Sequence, residues 1–366
     1  MLFRYRRFFA VLGFLLLATP LVAGLIAPDN PALILKEGRK PAPTPTAPTS
    51  AEALIALPAR VDAYLQDRFG LREKMIRLHK DLTKPVLPGG NSAILIGLDE
   101  RLFYLGDEMV LQSAGRVLRE PRVTATADTL ASISDALRSR SIRFLVALPP
   151  NSSTIYPDDL PGWARNPGKR TEYDLLLGDL ADRGVETVDL RPAVRSVRRE
   201  GQAYLMYDAH WTARAALAGF NAIAEADFHP DWRLDPKTSL GPPAERRGGD
   251  IARILGVQDD VAEKAETLDL PSRGTSQDLS EGPMPDYVLT SNRPGPTIMV
   301  IGDSFTAGYF PPMLLQHAGR AIWLHHHRCG FDWKWIDKFH PDEVWWAPTE
   351  RFLLCEPDAH PIDFAG

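Results

Sequence analysis

The chain has 366 residues and a formal net charge of −5, with 44% hydrophobic and 24% charged residues. This composition is ordinary for a globular protein, and the slightly acidic balance offers no basic excess to attract nucleic acid phosphates. The sequence holds two cysteines, Cys329 and Cys355, which excludes a disulfide-dense scaffold and a cysteine-rich zinc site. Their spacing leaves open whether the two are joined.

The N-terminal residues predict a membrane anchor. Arg4, Arg6 and Arg7 precede a nearly continuous apolar run at residues 8–26. A hydrocarbon core of ~30 Å needs about 20 helical residues, and the preceding positive charge stays on the cytoplasmic side. A cleaved signal peptide is the alternative, although apolar regions of that kind usually span only ~7–15 residues. We predict an uncleaved anchor over residues 1–27, with the rest of the chain outside the cytoplasm.

A linker and the start of a folded domain follow the anchor. The decapeptide at residues 41–50, PAPTPTAPTS, is too rich in proline and small polar residues to build a core. We therefore predict a Pro/Thr/Ala-rich linker over residues 28–52. Residues 51–82 are compatible with helix, and the folded domain is predicted at residues 53–366.

Strands and helices then alternate along the chain. The predicted elements are a hairpin at 93–105, helices at 124–139, 172–180, 212–226 and 311–319, and strands at 144–148, 185–190, 297–301, 321–324 and 343–346. Such alternation favours a parallel sheet covered by helices on both faces. Residues 228–296 are rich in proline and glycine, with one helix candidate at 250–255. So long an irregular insertion predicts a functional loop, such as a lid.

The segment Val300-Ile-Gly-Asp-Ser304-Phe-Thr is the first candidate for chemistry. An apolar strand ends there in a Gly-Asp-Ser turn that leads into a helix. In open α/β sheets ligands lie at the carboxyl ends of strands, and a helix start offers N–H groups to a developing negative charge. The alternative is that Asp303 or Ser304 only caps the helix, a common duty of both residue types.

The segment Tyr207-Asp208-Ala-His210-Trp211-Thr212 is the second candidate. Asp and His two residues apart can share a turn, so that the carboxylate binds Nδ1 of the imidazole while Nε2 faces a hydroxyl. A serine hydroxyl is a weak nucleophile until such a base removes its proton. The alternatives are a helix-cap neighbourhood or half of a metal site.

Taken together, these segments resemble the SGNH hydrolase-like family of alginate O-acetyltransferases, the AlgJ and AlgX type. The matching segments are residues 67–72, 94–104, 149–156, 208–211 and 302–305. The resemblance covers roughly residues 57–354. It implies an α/β fold, a three-layer α/β/α sandwich with a mostly parallel sheet, preceded by a transmembrane helix. The order of motifs is circularly permuted, because the Asp and His come before the serine.

The resemblance also implies an activity. Ser304 would be the nucleophile, His210 its base and Asp208 the residue that orients His210. Family members acetylate an exopolysaccharide, alginate-like or other, and receive the acetyl group from a membrane-bound O-acyltransferase partner. No cofactor is implied. The expected location is the bacterial inner membrane, with one transmembrane pass and the catalytic domain in the periplasm.

Further site residues are candidates for binding the substrate. The backbone N–H of Ser304 is the first expected oxyanion donor, and Asn151, which follows a predicted strand, is a candidate for the second. Asn151 could equally shape a Pro-Pro-Asn turn. Tyr156 and Arg351 are candidates for binding the sugar or acyl group, with core or surface roles as the alternative.

Two aromatic groups invite other interpretations. Adjacent residues in a strand point to opposite faces, so at most two of His325–His327 could share a metal, and we predict none. We expect these histidines to border the cleft instead, because they end a strand near Ser304. Trp211, Trp323, Trp345 and Trp346 could stack on sugar rings, but tryptophans in apolar strands usually lie in the core.

Two alternative functions stay open from the sequence. With water as the acceptor, the same residues would form a carbohydrate or acyl esterase. A non-catalytic, polysaccharide-binding subunit of an export complex is the other alternative. The presence of all three residue types of a serine triad argues against it.

Overall fold

A computed structural model describes residues 13–15, 18, 19, 22, 42–67, 93–271, 274–282 and 284–357. The chain forms two compact units, residues 1–88 with 280–285, and residues 89–279 with 286–366. In the first unit, residues 51–67 form a helix. Most of the predicted anchor, the family-like residues 68–72 and the helix expected at 71–82 lie outside the described residues. Within the described residues, no helix is long and apolar enough to span a membrane.

The strands are β1 (Ile94–Ile96), β2 (Leu102–Tyr104), β3 (Arg143–Val146), β4 (Glu186–Thr187), β5 (Ala244–Arg247), β6 (Ala262–Ala265), β7 (Gly274–Asp278), β8 (Tyr287–Ser291), β9 (Thr297–Gly302), β10 (Arg320–His325) and β11 (Glu343–Ala347). The helices are α1 (Ala51–Asp67), α2 (Met109–Ser113), α3 (Glu120–Ser139), α4 (Ser152–Ile155), α5 (Glu172–Asp182), α6 (Arg191–Glu200), α7 (Ala213–Ile223), α8 (Pro236–Ser239), α9 (Asp250–Leu255), α10 (Ser304–Ala307), α11 (Phe310–Leu314) and α12 (Lys334–Phe339).

A mixed sheet forms the centre of the second unit. Its strand order is β4-β3-β11-β9-β10-β8-β7. The first five strands in this order run parallel to one another, whereas β8 is antiparallel to β10 and β7 is antiparallel to β8. The predicted parallel sheet is therefore present, and an antiparallel edge extends it.

Helices cover both faces of this sheet, because its central strands are apolar on both sides. Val300 and Trp345 face one buried cluster, which includes residues of α6, α7 and α11. Met299 and Trp346 face the other, which includes residues of α3, α5 and α12. Alternation along a strand sends successive side chains to opposite faces. The second unit is thus a three-layer α/β/α sandwich.

Most predicted elements are present with shifted ends. The hairpin is confirmed, with β1 antiparallel to β2. Helix α3 begins four residues before its predicted start, with a proline in its first turn, where the missing N–H costs nothing. Helix α7 ends at Ile223 and is followed by a π-helical turn at Ala224–Phe228. The strand expected at 185–190 shortens to Glu186–Thr187, at one edge of the sheet.

The expectation of an irregular segment at 228–296 is wrong for much of its length. Helix α9 is where it was predicted, but β5 and β6 form a separate hairpin, and β7 and β8 extend the central sheet. Strands β5 and β7 carry mainly polar, exposed side chains. Hydrophobic alternation, the signal that identifies a half-buried strand, is therefore missing from them.

A disulfide joins Cys329 and Cys355, whose Cα atoms are 5.2 Å apart. It connects the segment that follows β10 to the segment that follows β11. Both cysteines are buried. The question that the sequence left open is thus answered in favour of the bond.

Candidate active site

Ser304 lies just beyond the carboxyl end of β9, at the edge of the sheet. Asp303 caps α10, because its Oδ1 accepts a hydrogen bond of 2.9 Å from the backbone N–H of Phe305. Asp303 is therefore the capping residue, and the exposed hydroxyl of Ser304 is not used for capping. Gly302 lets this turn pack closely, since a Cβ there would lie 2.3 Å from Oγ1 of Thr306.

Two buried tryptophans form hydrogen bonds with the residues that directly follow Ser304. The indole N–H of Trp211 donates to the carbonyl of Phe305 at 2.9 Å, and that of Trp323 donates to Oγ1 of Thr306 at 3.0 Å. Trp345 and Trp346 are also almost fully buried. All four belong to the core, which agrees with the second of the two interpretations for these residues.

His210 joins Ser304 to Asp208. Its Nε2 lies 2.8 Å from Oγ of Ser304, and its Nδ1 lies 2.6 Å from Oδ1 of Asp208. The backbone N–H of His210 also donates to Oδ1 of Asp208, at 3.0 Å. Asp208 is only 3% exposed, whereas the His210 side chain is 24% exposed. An arrangement of this kind lets the imidazole take the serine proton while the carboxylate fixes its tautomer.

Arg246 and Asp250, which the sequence did not suggest as site residues, both donate hydrogen bonds to Asp208. The guanidinium of Arg246, on β5, donates to Oδ2 of Asp208 at 2.9 Å. The backbone N–H of Asp250, at the start of α9, donates to the same oxygen at 3.2 Å, and Oδ2 of Asp250 lies 3.6 Å from Nδ1 of His210. The signal available in the sequence was the pair Gly248-Gly249 directly before Asp250, which allows a close approach of the backbone.

These contacts shift the pKa values of the group. Burial alone would lower the pKa of His210, but the hydrogen bond and charge of Asp208, together with the charge of Asp250, raise it above its ordinary value of 6.5. Burial would raise the pKa of Asp208, but the hydrogen bonds and charge of His210 and the charge of Arg246 hold it well below the usual range. Asp208 is thus ionised throughout the neutral range.

Asn151 follows β3 and is fully buried. Its backbone N–H donates to Oε2 of Glu350 at 2.7 Å. Neither polar atom of its side-chain amide has a hydrogen-bond partner among the described residues. Buried amides are nearly always paired, so this unpaired amide keeps Asn151 a candidate for the second oxyanion donor. Glu350, a buried carboxyl that the sequence did not suggest, is thus in direct contact with a predicted site residue.

The structure assigns Tyr156 to the framework of the second unit. It is 6% exposed, and its hydroxyl accepts hydrogen bonds from the backbone N–H groups of Ala203 at 2.9 Å and Tyr204 at 3.4 Å. The guanidinium of Arg101 covers its ring at 3.8 Å. Its polar atom and its ring face are already occupied, which agrees with the core role that the sequence left open as the alternative for Tyr156.

Arg351 lies beside the candidate site. Its guanidinium carbon is 5.2 Å from the ring centroid of Phe305, and that ring is 4.9 Å from the ring of His210. Nε of Arg351 is buried without a hydrogen-bond partner in the part of the chain that the structure describes. A cation so close to the Ser304 turn can bind an acyl or sugar oxygen.

The three consecutive histidines end β10 next to the turn. The backbone N–H of His326 donates to the carbonyl of Gly302 at 3.0 Å, and Nδ1 of His326 accepts from the backbone N–H of Arg328 at 2.9 Å. Burial lowers the pKa of His325 to about 4 and that of His326 to about 3. Both imidazoles are thus neutral near pH 7. The hydrogen bonds of His326 connect the end of β10 to Gly302, beside Ser304.

One group of described residues, Asp208, His210 and Asp250, has ligand atoms within 4.8 Å of one another, close enough to share a metal ion. Nδ1 of His210 is already hydrogen bonded to Asp208, Oδ1 of Asp250 accepts from the backbone N–H of Ala209, and the guanidinium of Arg246 lies on Asp208. A metal cation would be repelled by that guanidinium, so we assign these residues to no metal.

Comparisons with known proteins agree with this architecture. The sequence profile of the family described as SGNH hydrolase-like domain, acetyltransferase AlgX, matches residues 94–356. A curated relative from Pseudomonas syringae pv. tomato, "Probable alginate O-acetylase AlgJ", is 23% identical over 168 residues. That match spans 45% of this chain and 41% of the length of the relative.

Solved structures share the fold. PatB1 of Bacillus cereus with a sulfonyl adduct has a TM-score of 0.56 and 16% identity, over 73% of this chain and 97% of its own. A DHHW family protein from Eubacterium siraeum has a TM-score of 0.55 and 13% identity, over 74% of this chain and 95% of its own. At such low identity these likenesses show the fold alone.

Proposed function

Because this chain belongs to the family of SGNH hydrolase-like acetyltransferase domains of the AlgX type, we propose that it is a serine-dependent O-acetyltransferase. The acetyl group would pass through Ser304 onto hydroxyls of an exopolysaccharide. The observation that carries the proposal is the position of His210, with Nε2 at 2.8 Å from Oγ of Ser304 and Nδ1 at 2.6 Å from Asp208.

The first half-reaction acetylates the serine. His210 takes the proton of Ser304 as Oγ attacks the carbonyl carbon of the acetyl donor. The bond from Oγ to the acetyl carbon forms, the bond to the donor's leaving group breaks, and His210 returns the proton to that leaving group. Asp208 stays ionised and stabilises the imidazolium while it exists.

The second half-reaction frees the serine. A sugar hydroxyl enters the site, His210 removes its proton, and the sugar oxygen attacks the acetyl carbon. The acetyl bond to Oγ breaks, and the proton moves from His210 to Ser304. Water in place of the sugar would give hydrolysis. Exclusion of water by a bound acceptor therefore decides between transferase and esterase.

Charge develops on the acetyl oxygen in both steps. Ser304 is the first residue of α10, and the first N–H groups of a helix have no acceptor within it. We assign this N–H as one oxyanion donor and the unpaired amide of Asn151 as the second. Arg351 would bind an oxygen of the acyl group or the sugar.

The proposed acceptor is supported by the name of a relative, and the proposed acetyl source by the family resemblance of the sequence. The name of the Pseudomonas syringae relative specifies alginate, and we propose an alginate-like exopolysaccharide as the acceptor class. A membrane-bound O-acyltransferase is the proposed acetyl donor. We also propose inner-membrane anchoring through residues 1–27, a linker at 28–52 and a periplasmic domain at 53–366. Nucleic acid is not a proposed partner.

The activity can be tested with the full-length chain and a chromogenic acetyl ester, with and without oligosaccharides. Ser304→Ala should abolish chromophore release, whereas Ser132→Ala, an exposed serine on α3, should retain it. Acetylated sugar found by mass spectrometry identifies a transferase, and release without it identifies an esterase. Full turnover by Ser304→Ala would refute the serine mechanism, and no release by the wild type would favour the non-catalytic binding subunit.

The location can be tested by expressing the full chain and a version that begins at residue 42. We expect the full chain in the membrane fraction and resistant to extraction by high salt. The shorter chain should appear in the soluble fraction. Recovery of the full chain in the soluble fraction at its full mass would contradict the anchor.

A further inference from the structure

Gly249 and Asp250, in the segment between α7 and β8, are fixed against the loop at 207–210. The backbone N–H of Ala209 donates to Oδ1 of Asp250 at 2.7 Å. Gly249 allows this approach, because its φ is +153° and a Cβ there would lie 2.2 Å from the carbonyl oxygen of Tyr207. Other residues would strain the backbone at this φ and collide with the loop. Asp250 is therefore held in place by the backbone.

The two oxygens of Asp250 have different surroundings. Oδ1 accepts the hydrogen bond from Ala209, whereas Oδ2 lies 3.6 Å from Nδ1 of His210. The same nitrogen makes the 2.6 Å hydrogen bond to Asp208. Two carboxylates thus face one N–H of the imidazole.

The charges around His210 favour its protonated form. Asp208 is ionised, and Arg246 carries one positive charge at 2.9 Å from Asp208. Burial and the charge of Asp208 raise the pKa of Asp250, whereas the charge of His210 lowers it, so protonation of His210 favours the ionised form of Asp250. With both carboxylates ionised, the group has a net charge of about −1 when the imidazole is neutral and is about neutral when the imidazole is protonated. Gain of the serine proton by His210 therefore balances the charge of the group.

Two other groups face this cluster. The charge of Arg351 lowers the pKa of His210 and opposes the carboxylates. Tyr309 faces Arg246 and Asp208, and burial raises its pKa, so it stays a neutral phenol. The charge of Asp250 thus offsets the charge of Arg351, which disfavours protonation of His210.

We propose that Asp250 is a second positioning carboxylate for His210, which stabilises the imidazolium formed when the Ser304 proton is taken. The proposal rests on the serine mechanism proposed above. Oδ2 of Asp250 lies 3.6 Å from Nδ1, whereas Nε2 faces the hydroxyl, so Asp250 acts through His210 and reaches no reacting atom. The segment at 228–296 thereby contributes to the catalytic group.

Asp250→Asn is the informative substitution. Asparagine keeps Oδ1 as the acceptor for the Ala209 N–H, removes the negative charge near His210 and places an NH2 group where Oδ2 lies. The readout is kcat/KM against pH with the chromogenic acetyl ester and the full-length chain. Activity requires neutral His210, so it is lost as the pH falls through the pKa of that residue. In the variant this acidic limb should lie about one pH unit lower, and kcat should fall about tenfold.

Asp259→Asn is the matched control, because Asp259 is an exposed carboxylate nine residues further along the same segment. It should leave the limb and kcat unchanged. NMR titration of the His210 ring in wild type and Asp250→Asn measures the same pKa without turnover. An unchanged His210 pKa in the variant would refute the role of Asp250, whether or not activity drops. A wild type without Ser304-dependent turnover would instead refute the proposed function.

Discussion

The carboxylate of Asp303 accepts a hydrogen bond from the backbone N–H of Thr349 at 2.8 Å. Its other oxygen caps α10 through Phe305. Glu350, the next residue after Thr349, accepts from the backbone N–H of Asn151. Two buried carboxylates therefore connect the segments that follow β9, β11 and β3, and this connection fixes Asn151 relative to the Ser304 turn.

Asp303→Asn should disrupt this connection. The amide can accept one of the two hydrogen bonds, but its NH2 group would face the remaining backbone N–H. We expect a loss of about 2 kcal/mol in the free energy of unfolding, together with a lower kcat. Denaturant unfolding and ester turnover measure the two effects. Ser304→Ala is the control, since it should lose turnover with little change in stability; wild-type stability in Asp303→Asn would contradict the prediction.

Glu350 should make stability depend on pH. Burial raises its pKa from 4.5 to about 7, so the folded state binds the proton more tightly than the unfolded chain. Its contribution to stability is complete below pH 4.5 and is lost as the pH rises to about 7, with a total change on the order of 3 kcal/mol. Thermal unfolding between pH 4.5 and 7.5 should show this slope in the wild type and lose it in Glu350→Gln. Glu120→Gln, at an exposed position, should retain the slope.

Gly302→Ala should displace the serine without unfolding the protein. The added Cβ would lie 2.3 Å from Oγ1 of Thr306 and 3.0 Å from the carbonyl oxygen of Ala347. Overpacking of this kind costs about 1–3 kcal/mol, and a shift of about 1 Å in a catalytic group can cost about a hundredfold in rate. Gly308→Ala is the control, because nothing lies within 4 Å of a Cβ there. Equal turnover by the two variants would show that the turn tolerates the methyl group.

The disulfide should contribute to stability. Its cysteines are separated by 26 residues, and a closed loop of this length stabilises a fold by about 3 kcal/mol. Cys329→Ala with Cys355→Ala should lower the denaturant midpoint accordingly, and a reducing agent should lower that of the wild type only. A wild-type midpoint unaffected by complete reduction, confirmed by thiol titration, would show that the bond adds nothing.

The elements that the sequence identified are those with an unambiguous hydrophobic period. Strands β3, β9, β10 and β11 are apolar on both faces, and α3 buries Leu130, Ile133 and Leu137 along one side. The polar strands β5 and β7 and the charged helix α6 carry no such signal. Their pairing depends on backbone hydrogen bonds and on neighbours distant in the chain, which local patterns do not record.

The residues of the candidate site also fall into a group that local sequence motifs identified and a group that only the structure revealed. The sequence by itself determined the residue types of the proposed mechanism, because Gly-Asp-Ser and Asp-x-His are local signals at the ends of elements. Only the tertiary structure decided that His210 reaches Ser304 across 94 residues, that Tyr156 is occupied by backbone groups, and that Arg246, Asp250 and Glu350 join the site. The physical reason is that a hydrogen bond or a charge interaction depends on distance in space, which is set when the strands of the sheet assemble.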